Sequence, residues 1–134
     1  MNRVINYLGI ARKAGKLATG EEAVRTASKT GRAKLVLLAN DAAPNAVRRA
    51  QSFTDGKKSI LLTVPLTKVE LAHAVGNAMC AMAAVTDAGL AAAVANALKT
   101  DSDNEEYREA SEKLSARSAK VMRRRKEQKK EDRI

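Results

Sequence analysis

The residues best suited to do chemistry in this chain cluster around Thr19-Gly20-Glu21-Glu22 and the basic side chains near it. T-x-x-E is the form of a capping box that opens a helix, and a helix start presents N–H donors and the positive end of a dipole. Arg12, Lys13, Lys16 and Arg25 flank it, and such a group can hold phosphate oxygens. The same residues also fit a plainer role. Thr19 as a cap is worth about 1 kcal/mol, Glu21 and Glu22 complement the helix dipole, and the basic residues are simply solvated. Spacing leaves both readings open.

Catalytic patterns are missing. The chain has one histidine, His73, and one cysteine, Cys80. It has no H-E-x-x-H, C-x-x-C, G-x-S-x-G or G-x-x-x-x-G-K-[ST] pattern. His73 falls in a helical segment beside Leu71 and Ala74, and reads as structural or surface-exposed. Cys80 reads as a small hydrophobe, because no basic partner is near it in sequence. No metal site can be built from this set, and no cofactor is expected.

These residues need elements to position them, and the clearest is the uninterrupted apolar run Leu35-Val36-Leu37-Leu38-Ala39, which ends in Asn40-Asp41. A strand without polar alternation must be covered on both faces, which in a small protein means helices on either side of a sheet. Polar residues just past the carboxyl end of such a strand lie where open α/β folds bind ligands. That makes Asn40 and Asp41 rim residues.

Helix and strand alternate through residue 100. A helix is expected over residues 2–14, with Val4, Ile5, Leu8 and Ala11 at helical spacing, then a short strand at residues 16–18. The helix opened by Thr19 carries Ala23, Val24 and Ala27 inward. Past the Leu35 run, Pro44 suits a first helical turn, and Val47, Ala50 and Phe53 mark an inner face. Residues 59–64 form a second apolar strand, and Thr67-Lys68-Val69-Glu70 repeats the capping-box form. Residues 81–86 are a third strand, and Asp87 caps a helix carrying Leu90, Ala93, Val94, Ala97 and Leu98. The fold class expected is α/β: a three-layer α/β/α sandwich with a small mixed four-stranded sheet in residues 1–100. A chain of 134 residues suits one such domain, burying about two-thirds of its unfolded surface.

Residues 101–134 form a charged tail, expected to be disordered or a solitary helix. Residues 101–112 carry 1 basic and 6 acidic groups, and residues 113–134 carry 10 and 3. Tyr107, Ala110, Leu114 and Val121 make a stripe too thin for a stable solitary helix.

Charge points to the partner. Lys+Arg number 25 against Asp+Glu 15, a formal charge of +10, which favours phosphate-rich polymers. Only Tyr7, Phe53 and Tyr107 are aromatic, whereas a base-stacking platform for single strands needs several exposed rings. A structured RNA gripped by helix ends, loops and cations fits better. Met1-Asn2-Arg3 leads into a mixed segment rather than a signal sequence, and the Ala-rich stretch near residues 78–98 is interrupted by Thr86, Asp87 and Asn96. With a lone cysteine, the expectation is a soluble cytoplasmic protein without membrane attachment.

Several motifs together resemble the ribosomal L-seven-Ae type of kink-turn RNA-binding proteins, especially small bacterial ylxQ-like members. The matching pieces are Leu8-Gly9-Ile10-Ala11-Arg12-Lys13-Ala14-Gly15-Lys16, Thr19-Gly20-Glu21-Glu22-Ala23-Val24, Ala33-Lys34-Leu35-Val36-Leu37-Leu38-Ala39-Asn40-Asp41, Glu70-Leu71-Ala72-His73-Ala74-Val75-Gly76 and Ala84-Val85-Thr86-Asp87-Ala88-Gly89. The resemblance covers roughly residues 2–99, and the tail lies outside it.

The resemblance implies a sandwich that grips a sharply bent RNA, ribosomal or ribosome-associated. The second helix would enter the major groove at tandem sheared G·A pairs, and a short apolar loop, here Asn77-Ala78-Met79-Cys80-Ala81, would support extruded nucleotides. The family's Gly-x-Asn-Glu-x-x-Lys motif places its Asn on Glu22, its Glu on Ala23 and its Lys on Thr26, with Arg25 adjacent. Ionised Glu22 only accepts hydrogen bonds, so base reading there is altered. The RNA contacts implied are Lys16, Gly20, Glu21, Glu22, Arg25, Thr26, Lys34, Asn40, Asp41, Ala78, Met79, Cys80 and Ala81. Arg123, Arg124, Arg125, Lys126, Lys129 and Lys130 would add phosphate contacts without sequence preference. Two rival readings remain: a protein-interaction module on the same fold, and a small-molecule enzyme using Asn40, Asp41 and Asp87. Neither a catalytic group nor a small-molecule substrate is expected.

Overall fold

The computed structural model describes residues 1–76 and 80–132. The elements run α1 (Asn2–Lys13), β1 (Leu17–Thr19), α2 (Glu21–Lys29), β2 (Leu35–Ala39), α3 (Pro44–Thr54), β3 (Ile60–Val64), α4 (Lys68–Val75), β4 (Met82–Val85), α5 (Ala88–Asp101) and α6 (Glu105–Asp132). The strands form one sheet in the order β1-β4-β2-β3. β2 and β3 are parallel, while β4 runs antiparallel to both β1 and β2. The sheet is mixed and four-stranded.

β2 organises the layers. All five of its residues are buried. Leu35, Leu37 and Ala39 enter a core shared with Leu8 of α1, Leu71 of α4 and Val94 of α5. Val36 and Leu38 enter a second core with Val24 and Ala27 of α2 and Ala50 of α3. Alternate side chains of a strand leave opposite faces, so an unbroken apolar run is what a strand between two helical layers requires. Each leucine so buried stabilises the fold by about 1.5–3 kcal/mol. The three-layer α/β/α sandwich follows.

Start signals are met at several helices. Thr67 and Glu70 complete a reciprocal capping box at α4, Asp87 accepts from the Leu90 N–H at 2.9 Å, and Pro44 occupies the first turn of α3. The start of α2 differs from expectation. Thr19 pairs with Ala83 as the last residue of β1, so the strand lies one residue later than residues 16–18. The chain must then turn at once into α2. Gly20 makes that turn as N-cap, at φ 88° and ψ 162°, without a capping side chain. That region is open essentially to glycine alone.

The tail also departs from expectation. The division at residue 100 falls inside α5, and α6 packs on the sandwich over its first half instead of standing alone. Asn104 caps it, accepting from the N–H groups of Glu106 at 2.8 Å and Tyr107 at 3.4 Å. Tyr107, Ala110, Ser111 and Leu114 are buried. The Tyr107 hydroxyl donates to the Thr63 carbonyl at 2.6 Å, and Arg117 donates to the Lys58 carbonyl at 2.6 Å. The thin apolar stripe suffices because the small residues of α5 let α6 approach closely. From Met122 onward the described residues of the helix are exposed.

Candidate nucleic-acid interface

The start of α2 is tied to the segment leading into β4. The Gly20 N–H donates to the Met82 carbonyl at 3.1 Å, and the Cys80 thiol donates to the same oxygen at 2.9 Å. Cys80 is buried, and burial pushes its thiol pKa up, offset in part by backbone hydrogen bonding from Gly20 and Met82. The thiol is thus a packing group rather than a nucleophile. The Ala39 N–H reaches the Ala81 carbonyl at 2.8 Å, which joins the end of β2 to the same place. Gly20, Cys80, Ala81 and Asn40 therefore share one rim, at the carboxyl end of β2. Asn77, Ala78 and Met79, expected in the apolar loop, lie outside the described residues.

Asp41 has a structural task on this rim. Its carboxylate accepts the Lys68 backbone N–H at 2.7 Å and so supplements the capping of α4. Asn40 is exposed, and its N–H is held by the Leu66 carbonyl at 2.9 Å.

Each carboxylate at the start of α2 is matched by an arginine. Glu21 pairs with Arg49 of α3, at 3.1 Å from Nε and 3.3 Å from Nη1. Glu22 pairs with Arg25 one turn on, and the hydrogen bond and charge of Glu22 raise the Arg25 pKa. The Thr26 hydroxyl donates back to the Glu22 carbonyl at 3.1 Å. Arg32 lines the open groove between α2 and β1 together with Thr19, Gly20 and Thr26. Arg12 covers Gly76, where an added Cβ would collide with its guanidinium. Gly76 ends α4 in the left-handed conformation, so Arg12 sits at the negative end of that helix. The rim therefore carries Arg25 and Arg49, while Arg32 follows α2 and lies with Lys34 toward the opposite end of the sheet. Sequence spacing holds no sign of Arg49, because it reaches Glu21 from a different helix.

Two expected contacts lie elsewhere. The Lys34 N–H donates to the Val85 carbonyl and the Thr86 N–H to the Lys16 carbonyl, both at 2.9 Å. Lys16 and Lys34 are thus at the end of β4 away from Met82. Both precede strands that run toward the rim, so both must begin at the opposite end of the sheet. Asp87 follows β4 and lies at that end too, with its carboxylate engaged by α5. The crevice of Asn40, Asp41 and Asp87 that an enzyme would use is not assembled. Among the described residues, no three His, Cys, Asp or Glu side chains are grouped to hold a metal ion. His73 is exposed on α4. Arg123, Arg124, Arg125, Lys126, Lys129 and Lys130 are all exposed on the second half of α6. None of the described helices is long and apolar enough to cross a membrane.

Comparison with known proteins fits this arrangement. The model of the ribosomal protein L7Ae/L30e/S12e/Gadd45 family matches residues 2–95. RNA-binding protein YlxQ of Bacillus subtilis (strain 168) is 40% identical over 88 residues, 63% of this chain and 83% of that protein. RNA-binding protein YlxQ of Enterococcus faecium is 39% identical over 49 residues, 37% of this chain and 48% of that protein. Among solved structures, a Bacillus halodurans protein of unknown function superposes with a TM-score of 0.67 at 27% identity, covering 72% of this chain and 97% of its own. A Giardia lamblia 15.5kD RNA binding protein superposes with a TM-score of 0.61 at 19% identity, covering 73% and 83%, and shares the fold.

Proposed function

The chain belongs to the ribosomal protein L7Ae/L30e/S12e/Gadd45 family, and from that premise we propose that it binds a sharply bent, kink-turn-like structured RNA without catalysing a reaction. The observation that carries this reading is the union of Gly20 and Cys80 on the Met82 carbonyl. It holds the start of α2 and the approach to β4 side by side, the two parts that a kinked duplex and its extruded nucleotides would meet. Arg25 and Arg49 beside them supply cations for phosphates.

In this reading Gly20 lets the RNA approach the backbone closely. Glu22 accepts from a guanine or cytosine amino group, and Arg25, released from Glu22, takes a phosphate. The names of the YlxQ relatives support RNA as the partner. A cytoplasmic, ribosome-associated setting is part of the proposal.

Gel-shift titration on a kink-turn RNA, and on the same RNA with its G·A pairs converted to Watson–Crick pairs, tests it. Tighter binding to the first is expected. Equal affinity for both would leave only a general polyelectrolyte binder.

A further inference from the structure

At the opposite end of the sheet from that rim, a cavity of about 270 Å³ opens where the end of α2, the starts of β2, β3 and α5, and the middle of α6 meet. Its floor is apolar, with Ala33, Ala88, Leu114 and Val121. Its cationic lining is Lys34, Lys57, Lys58 and Arg117, and none of its lining residues is acidic. The nearest carboxylate in sequence, Asp87, is turned to the Leu90 N–H.

Two of the serines that line this cavity carry hydroxyls without a partner. Ser28 Oγ and Ser59 Oγ are both shielded from solvent and make no hydrogen bond. Ser28 is 4% exposed and is one of the few polar residues buried among the described ones. A buried hydroxyl left unpaired costs about 1–3 kcal/mol, so a cavity that gathers two invites a ligand with matching donors and acceptors. Arg117 closes one side through its hydrogen bond to the Lys58 carbonyl, at 2.6 Å.

We propose that this cavity binds a single nucleotide unit, with the base on the apolar floor against Ser28 and Ser59, whose hydroxyls rotate to meet it, and the phosphate on Lys34, Lys57, Lys58 and Arg117. Its volume of about 270 Å³ falls just below the range of small-molecule sites, roughly 300–1,000 Å³, so one nucleotide is the most it could take. A bare phosphate would leave the apolar floor unused, and an uncharged apolar molecule would leave the cations and hydroxyls unused. A nucleotide uses all three. The unit is either a free mononucleotide or an unpaired nucleotide of a bound RNA. The RNA source rests on the RNA-binding reading above; the free-nucleotide source does not.

The test uses the full chain with adenosine 5′-monophosphate, adenosine and inorganic phosphate, followed by amide NMR shifts and calorimetry. The mononucleotide should move Ser28, Ser59 and Ala88 and bind about tenfold more tightly than either component. The exposed pair Lys57→Ala/Lys58→Ala should lose about tenfold in that affinity, and Ser28→Val should weaken adenosine more than phosphate. A second arm compares a kink-turn RNA with and without a single-stranded 3′ extension. A gain from the extension that the double variant abolishes assigns the cavity to RNA. Mononucleotide binding without such a gain assigns it to a free nucleotide. Phosphate binding as well as the mononucleotide, or no shift at Ser28 and Ser59 in either arm, overturns the proposal. The G·A preference would survive that failure, because it is read at the other end of the sheet.

Discussion

Gly20 and Cys80 donate to one acceptor, the Met82 carbonyl oxygen, from 3.1 and 2.9 Å. A backbone N–H at a helix start and a side-chain thiol from a distant segment are thereby fixed to each other through a strand residue. The position of α2 relative to the β4 approach is set by short, buried contacts rather than by long surface side chains.

Gly20→Ala should therefore cost stability through backbone strain alone. The built Cβ meets nothing within 4 Å, yet φ is 88°. A loss of about 1–3 kcal/mol in urea denaturation is expected. RNA discrimination should fall with it, read by gel shift at a temperature where the variant remains folded.

Glu22→Gln and Arg25→Ala should move affinity in opposite directions. The first removes a carboxylate that repels phosphate and holds Arg25, so RNA should bind more tightly. The second should weaken binding and lower the slope of log affinity against log salt by about 1. An unchanged slope for Arg25→Ala would remove that residue from the interface.

Asp41→Ala separates capping from RNA contact. Loss of the hydrogen bond to the Lys68 N–H should cost about 1 kcal/mol in thermal or chemical unfolding. RNA affinity should stay unchanged in conditions where the variant is fully folded. A fall in affinity there would return Asp41 to the recognition surface.

Tyr107 makes stability sensitive to alkali. Burial, and after it the charge of Glu106, raises its pKa above the ordinary 10.0. The folded state therefore holds the phenolic proton more tightly than the unfolded chain. The stability this contributes is complete below the unfolded value and is lost as pH rises through the folded one. Cys80, raised by burial from 9.0, acts in the same sense. Tyr107→Phe should be less stable at neutral pH, lacking the bond to Thr63, but should decline less steeply above pH 10.0, measured by urea unfolding across that range.

Leu114→Ala and removal of residues 122–134 should differ sharply. Leu114 is fully buried, and its truncation should cost about 2–5 kcal/mol. The removed segment is exposed over its described residues, so its loss should leave the melting temperature nearly unchanged while flattening the salt dependence of RNA binding.

Much of the scaffold was legible because its signals are local. The Leu35 run, the Thr67–Glu70 box and the Asp87 cap each depend on neighbours in sequence. Thr19 misled because T-x-x-E says nothing about a strand that claims the threonine first. Lys16 and Lys34 could not be placed without strand direction, which depends on how β4 pairs. Arg49 joins the rim through packing between α2 and α3, and periodicity carries no trace of that. The stripe on α6 was visible, but its partner was the close-packed, alanine-rich surface of α5, which becomes a surface only once folded.

The docking of α6 has a consequence for how copies of this molecule meet one another. β3 is an outermost strand of the sheet, and an open flank of five residues would template the strand of a second chain. Tyr107 occupies the carbonyl of Thr63 and Arg117 that of Lys58, so the helix lies across the flank where such pairing would begin. The other border strand, β1, has three residues and offers little to extend. Detaching α6 would thus expose a self-adhesive margin, and the helix keeps the sheet from growing into neighbouring molecules.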